Sequence, residues 1–508
     1  MPPTLTYPGV YVEEIPSGVH PITGVATSIT AFVGRALRGP VDKAVTITSL
    51  SDFERIFGGV WTESSLGYAV QDFYRNGGTT AVIVRVHKEH AAADTASLSF
   101  GSSGDAYLIE LDAASPGAWG ASLEAAIDYD VAPGSDSSVF NLTVTDTGAN
   151  VTEVFRNVSY DPASPRRFDH VLASQSRLVV WGGGSLPTAH VPSASATATA
   201  SNGGNGDDLD TTVFTGGTLR ADKKGLYALE PVDLVNIIVI PPYTSGGEVD
   251  ASVLTDAVSY AVERRAMVIV DPPAAWTSVA DAVTGANNLF PSPNAAVYFP
   301  QIQEADPLRG GQIGPVAPSG AVAGIWARTD ATRGVWKAPA GLGATVAGAA
   351  SLSVPLTDLE IGELNPLGVN CFRNSPGAGI TVWGARTRNG DDRLADQWKY
   401  LPVRRTALFL EESLYRGTQW VVFEPNDAPL WAQIRLNVTS FMSTLFRQGA
   451  FAGTTPRDAF FVKCDSETTT PDDVNNGVVN IVVGFAPLKP AEFVVIQLQQ
   501  LAGQTGSA

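Results

Sequence analysis

Short apolar runs without alternation recur along the chain, and each reads as a strand covered on both faces. Ile29 to Val33, Thr79 to Val86 (TTAVIVRV), Val235 to Ile240 and Ala266 to Val270 are the clearest. Helical spacing separates them. Leu66, Ala69, Val70, Phe73 and Tyr74 recur at three- and four-residue steps and end at Asn76-Gly77, a C-cap signal. Val253, Leu254, Ala257, Val258, Ala261 and Val262 form a second stripe, which makes 235–270 a strand–helix–strand unit with a parallel pair. Ser51-Asp52-Phe53-Glu54 fits a capping box that opens a short helix stopping at Gly58-Gly59. Farther on, Pro402 to Tyr415 predicts a helix and Trp420-Val421-Val422-Phe423 a strand. Pro429 follows the cap Asn426-Asp427. In the helix it opens, Trp431, Ile434, Val438, Phe441, Met442 and Leu445 share one face, with Gln433, Ser440, Thr444 and Arg447 opposite. Two β-prone runs close the chain, Val478 to Phe485 and Phe493 to Leu498.

Residues 91–219 change the picture. Alternating runs such as Phe140-Asn141-Leu142-Thr143-Val144 predict antiparallel strands with a solvated face. The segment carries 15 acidic and four basic residues, so it supplies −11 of the chain's net −18. At the start, the turn signals Tyr7-Pro8-Gly9 and Pro16-Ser17-Gly18 bracket a strand-prone Val10-Tyr11-Val12 with no partner nearby in sequence. An isolated extended segment satisfies its backbone groups by joining a sheet edge. A chain of 508 residues exceeds what one core of roughly 250–300 residues holds. The expected fold is therefore mixed α/β and multidomain. An N-terminal arm (1–27) leads into an α/β core (28–90 and 226–385), interrupted by an acidic, β-rich outer domain (91–225). A C-terminal domain (386–475) and C-terminal strands (476–508) follow.

The chain carries little that points to catalysis. The P-loop pattern, the strand–GxGxxG–helix fingerprint and the GxSxG elbow are all absent. His87 and His90 lack metal-ligand partners at the required spacing and read as polar surface histidines. Gly203-Gly204-Asn205-Gly206-Asp207-Asp208 matches one calcium-binding nonapeptide turn, but such turns bind as stacked arrays. Asp391-Asp392 beside Arg386, Arg388 and Arg393 reads as a salt-bridged cluster rather than an acid/base pair. Cys371 and Cys464 form neither a disulfide framework nor a metal spacing. No catalytic residue, cofactor site or metal site is expected. The acidic balance argues against contact with nucleic acid, and no apolar run reaches the ~18–20 residues of a membrane span. The opening MPPTLTYPGVYVEE lacks the basic and apolar regions of a secretory signal, so manufacture in the cytoplasm is expected.

Several segments together resemble contractile tail sheath proteins. These are TYPGVYVEEIPSG and TSITAFVGRALRGP near the start, NGGTTAVIVRV ending at Val86, and ERRAMVIVDPP at 263–273. FLEESLYRGTQWVVFEPND (409–427) and GFAPLKPAEFVVIQLQQ (484–500) complete the set in matching order. The resemblance covers roughly 1–90 and 230–508 and leaves out the 91–219 insert. It implies a structural subunit that polymerises into a helical sheath around an inner tube and contracts to drive that tube through a target envelope. It also implies baseplate and cap proteins at the sheath ends, within a phage tail or an injection particle. Two other classes compete: a non-contractile surface or adhesin-type protein, and a hydrolase from a phage structural module. On the sheath reading, Val10, Tyr11, Val12 and Glu13, with Phe493, Val494, Val495 and Ile496, are strands exchanged between neighbouring subunits. Residues 386–475 become the inner, tube-facing domain. Arg435, Arg447 and Arg457 are its candidate tube contacts, because no acidic residue lies between Asp427 and Asp458.

Overall fold

The computed structural model describes residues 20–90, 94–193, 196–243 and 247–497. The chain divides into two compact units. The larger comprises Ala26–Ala331 with Pro339–Lys399, and the smaller Met1–Val25, Thr332–Ala338 and Tyr400–Ala508.

In the larger unit the first two apolar runs become β1 (Thr30–Gly34) and β3 (Ala81–Arg85), and a further strand, β2 (Ala44–Ile47), lies between them in sequence. The acidic segment supplies β4 (Ser97–Phe100), β5 (Ile109–Ala113), β6 (Leu123–Asp128), β7 (Val139–Asp146), β8 (Val151–Ser159), β9 (Val179–Trp181) and β10 (Thr197–Thr199). The α/β pattern resumes with β11 (Ile237–Val239), β12 (Met267–Val270) and β13 (Ala295–Phe299). After these come β14 (Ile302–Asp306), β15 (Gln312–Val316), β16 (Ser351–Leu352), β17 (Val369–Ser375) and β18 (Gly379–Val382).

Eight of these strands form one sheet in the order β18-β17-β13-β12-β11-β1-β3-β2. The six inner strands run parallel, and an antiparallel strand closes each edge. Unbroken apolar runs fit this position because both faces are covered. On one face Val33, Val84, Ile238, Val268 and Val297 pack with the helix Ala251–Glu263. On the other, Phe32 meets Phe73 of the helix Ser65–Arg75 at 5.4 Å. In the 251–263 helix Val262 leaves the predicted stripe and is half exposed. The helix Leu50–Phe57 starts two residues earlier than its sequence suggests. Ser49, not Ser51, is the cap: its Oγ accepts from Asp52 N at 3.1 Å while donating to Asp52 Oδ2 at 3.0 Å.

Residues 96–198 gather around a core of their own, with Phe100, Leu111, Trp119, Leu142, Phe155 and Phe168 at its centre. Two antiparallel sheets enclose it, β10-β6-β7-β8 and β4-β5-β9. The chain enters and leaves this region side by side, since Asp207 N donates to the Lys88 carbonyl at 2.9 Å and Gly204 N to that of Asp94 at 3.0 Å. Arg85 rivets the region to the core sheet. Its buried guanidinium donates to the carbonyls of Ala36 (2.9 Å), Gly39 (2.7 Å) and Pro116 (2.7 Å). Nearby, Arg38 pairs with Asp146 at 3.2 Å. His87 is not a surface histidine. Its side chain is 3% exposed and bonds Asp94 Oδ2 at 3.0 Å, because the returning glycine loop covers it. His90 is exposed and pairs with Asp207 Oδ1 at 2.5 Å, so the carboxylate of the calcium-like turn already has a partner.

In the smaller unit the helices Leu401–Gly417 and Ala428–Arg447 pack with β19 (Phe460–Lys463) and β20 (Val482–Phe485). Asp427 caps the second helix through its side chain, and Pro429 lies in its first turn. Trp420 to Phe423 is not a strand. Gln419–Val421 is a single 3-10 turn, and Phe423 is fully exposed with φ 73°. β-branched propensity yields here to the sharp reversal between two helices. No helix among the described residues is long and apolar enough to cross a membrane.

Candidate assembly interface

β19 and β20 pair antiparallel, placing Phe460 opposite Phe485 and Val462 opposite Val483. These four side chains turn toward the core of Ile434, Phe441, Met442 and Phe451. The other face carries Phe461 and Val482, both about half exposed. Phe461 lies across Gly484 so closely that a Cβ there would sit 2.1 Å from its ring. Only two strands pair in this sheet among the described residues, so each presents an open edge. Two strands alone make a marginal sheet, and an open edge is a template for another strand. Val478 begins the first of the two closing β-prone runs, but pairing starts only at Val482, with β19 of the same chain.

Beyond β20 the chain passes Lys489-Pro490 and reaches Phe493, Val494, Val495 and Ile496. These four pair with nothing in the described chain and are 76–82% exposed. At the other terminus, residues 20–25 lie along the 401–417 helix. His20 stacks on Trp420 with centroids 4.2 Å apart, and Ile22 sits against Gly417. Val25 N donates to Ser413 Oγ at 3.2 Å. Val10, Tyr11, Val12 and Glu13 lie outside the described residues.

The three candidate arginines do not form one face. Arg435 is half buried and donates to the carbonyl of Cys464. Arg447 is exposed and, among the described residues, bonds only its neighbour Thr444 Oγ1, at 3.2 Å, and Arg457 is exposed in the short helix Pro456–Ala459. At ~100° per residue, Arg435 and Arg447 point roughly 120° apart and stand about 18 Å apart along the axis. The buried face of their helix also includes Leu430 and Asn437, which the sequence stripe omitted. The Asn437 carboxamide is buried without a hydrogen-bond partner. A polar residue inside an apolar stripe gives no signal in the heptad pattern. In the Asp391/Asp392 cluster Arg393 pairs with Asp391 at 2.5 Å, Arg386 with Asp392 at 3.0 Å and Lys399 with Asp392 at 2.5 Å, whereas Arg388 donates to the carbonyls of Leu367, Ala286 and Leu289.

Comparison with known proteins settles what these units are. The phage tail sheath protein central domain matches residues 223–388, and the phage tail sheath C-terminal domain matches 395–500. Together they span more than half of the chain. The chain belongs to the phage tail sheath family. The tail sheath protein of Burkholderia phage BcepMu is 23% identical over 470 residues, which cover 88% of this chain and 87% of that one. A putative prophage major tail sheath protein of Pseudomonas aeruginosa strain UCBPP-PA14 is 25% identical over 285 residues, 55% of this sheath chain and 67% of the relative. In fold, the sheath complex of an extracellular contractile injection system, solved contracted, superposes with a TM-score of 0.59 at 21% identity, covering 98% of both chains. A sheath tail protein from Listeria innocua gives 0.60 at 14% identity over 92% of this chain and 96% of that one.

Proposed function

We propose that the chain is the repeating subunit of a contractile sheath, a structural rather than a catalytic protein. Copies stack into a helical tube around an inner tube, meet a baseplate and a cap at its ends, and shorten to push the inner tube through a target envelope. Assembly takes place in the bacterial cytoplasm, before the particle acts as a phage tail or an injection device. The observation that carries this reading is the paired match to both the central and the C-terminal sheath domains, in order, along one chain. The exposed Phe493–Ile496 segment and the open edges of β19–β20 supply its mechanism: a terminal strand of one subunit extends the sheet of the next. Main-chain hydrogen bonds then hold subunits together while their bodies rotate. Contraction draws on better-buried contacts between subunits and needs no nucleotide. Electron microscopy of the purified full-length chain is the test. Long hollow tubes are expected, and a discrete monodisperse particle at every concentration would refute the reading.

A further inference from the structure

The helix Ser65–Arg75 meets the three-stranded sheet β15-β14-β16 at two buried carboxyl groups. Asp72, 1% exposed, projects from the helix, and Glu304, 6% exposed, from β14. One guanidinium nitrogen serves both: Arg75 Nη1 donates to Asp72 Oδ1 at 3.2 Å and to Glu304 Oε2 at 2.7 Å. The remaining oxygens, Asp72 Oδ2 and Glu304 Oε1, are buried and receive no donor. The two carboxyl groups thus meet on a single guanidinium nitrogen, which holds them side by side. Two carboxylates sharing one cation, each with an orphaned acceptor, are costly in a dry site, and one proton between them removes both defects.

We propose that Asp72 and Glu304 hold a single proton, carried by Asp72 and donated to Glu304, and that this proton latches the β14–β15–β16 sheet onto the 65–75 helix. Alkaline pH then loosens the joint. The surrounding groups do not offset a second negative charge. On the same hairpin Asp306 accepts from Tyr68 Oη at 3.0 Å and pairs with Arg309 at 3.4 Å. Arg328, from the helix Ser319–Arg333, donates to the Thr345 carbonyl at 2.7 Å. The 345–348 loop contributes the backbone of Ala347, which bonds Asn76, and Gly348, which abuts Arg75. Burial first, and then the charge of Glu304, push Asp72 well above the usual carboxylate range, and Arg75 only partly opposes them. A proton held by the fold but released by an unfolded carboxyl near pH ~4 stabilises the joint at low pH. That stabilisation is lost as pH rises through the raised value.

The test is hydrogen–deuterium exchange across Ile302–Val316, corrected for intrinsic rates, on the full chain between about pH 6 and 9. Below the pair's raised value, wild-type protection should fall by up to about tenfold per pH unit, and it should level off above that value. Asp72→Asn, whose amide donates permanently to Glu304, should hold its protection. A second reading uses infrared spectroscopy in an Asp271→Asn background. A protonated-carboxyl carbonyl band should persist at neutral pH and vanish in both Asp72→Asn and Glu304→Gln. Protection that changes equally with pH in wild type and Asp72→Asn, or a band that survives both substitutions, would overturn the shared proton.

Discussion

Asp271 shows how far one buried residue sets the pH response of the larger unit. Its carboxylate accepts from Ser319 N at 2.8 Å and Ser319 Oγ at 2.6 Å, holding the start of the 319–333 helix. Full burial pushes its pKa up to about 7, and the two Ser319 bonds only moderate that rise. A raised carboxyl favours the fold below the unfolded value near ~4, and the advantage disappears as pH passes 7. Thermal unfolding temperature should therefore drop between about pH 5 and 8. In Asp271→Asn that slope should be shallower, measured by circular dichroism melts. Gly320 makes a second residue-scale prediction. A Cβ there would sit 2.1 Å from the Ala69 carbonyl, so the helices 319–333 and 65–75 touch backbone to backbone. Gly320→Val should cost roughly 1–3 kcal/mol by overpacking. Denaturant midpoints would measure it.

At the scale of elements, the sequence was most legible where a strand is buried on both faces or a helix has one clean stripe. β3, β11 and β12 and the helices 65–75, 251–263 and 428–447 follow their patterns because burial dictates residue type at every position. It misled at Trp420–Phe423, where local propensity favours a strand but the two flanking helices force a turn. It was silent on Asp72, Glu304 and Arg85, since the Pro116 carbonyl that holds Arg85 and the Glu304 that shares Arg75 with Asp72 come from about 30 to more than 200 residues away. The candidate interface was legible only as unpartnered β-prone runs, and on the reading proposed above its partner lies in another chain. Pairing of the 493–496 segment across subunits yields a direct prediction. Phe493→Asp with Val495→Asp removes one face of the exposed 493–496 segment, so the chain should fold normally by circular dichroism yet form no long tubes. Wild-type tube lengths from that variant would contradict strand exchange.

The whole molecule presents a strongly acidic 91–219 region, which we place on the sheath exterior, where −11 of net charge discourages bundling. Because the chain enters and leaves that region side by side, replacing 91–219 with a short Gly/Ser linker should leave a subunit that folds and polymerises. It should melt at a lower temperature than wild type, since Arg85 loses the Pro116 carbonyl. In the smaller unit, Arg435→Glu with Arg447→Glu should reduce co-assembly with the inner tube, scored by counting extended particles. Since Arg435 also holds the Cys464 carbonyl, Arg447→Glu alone separates tube contact from stability. The central claim, a subunit that polymerises by lending strands to its neighbours, is tested most directly by a helical reconstruction of the polymer at side-chain resolution. The account predicts a hollow cylinder wide enough for an inner tube, with Phe493–Ile496 of one copy hydrogen-bonded along an edge of β19–β20 in the next. A polymer without a lumen, or one whose subunits touch only through side chains, would contradict it.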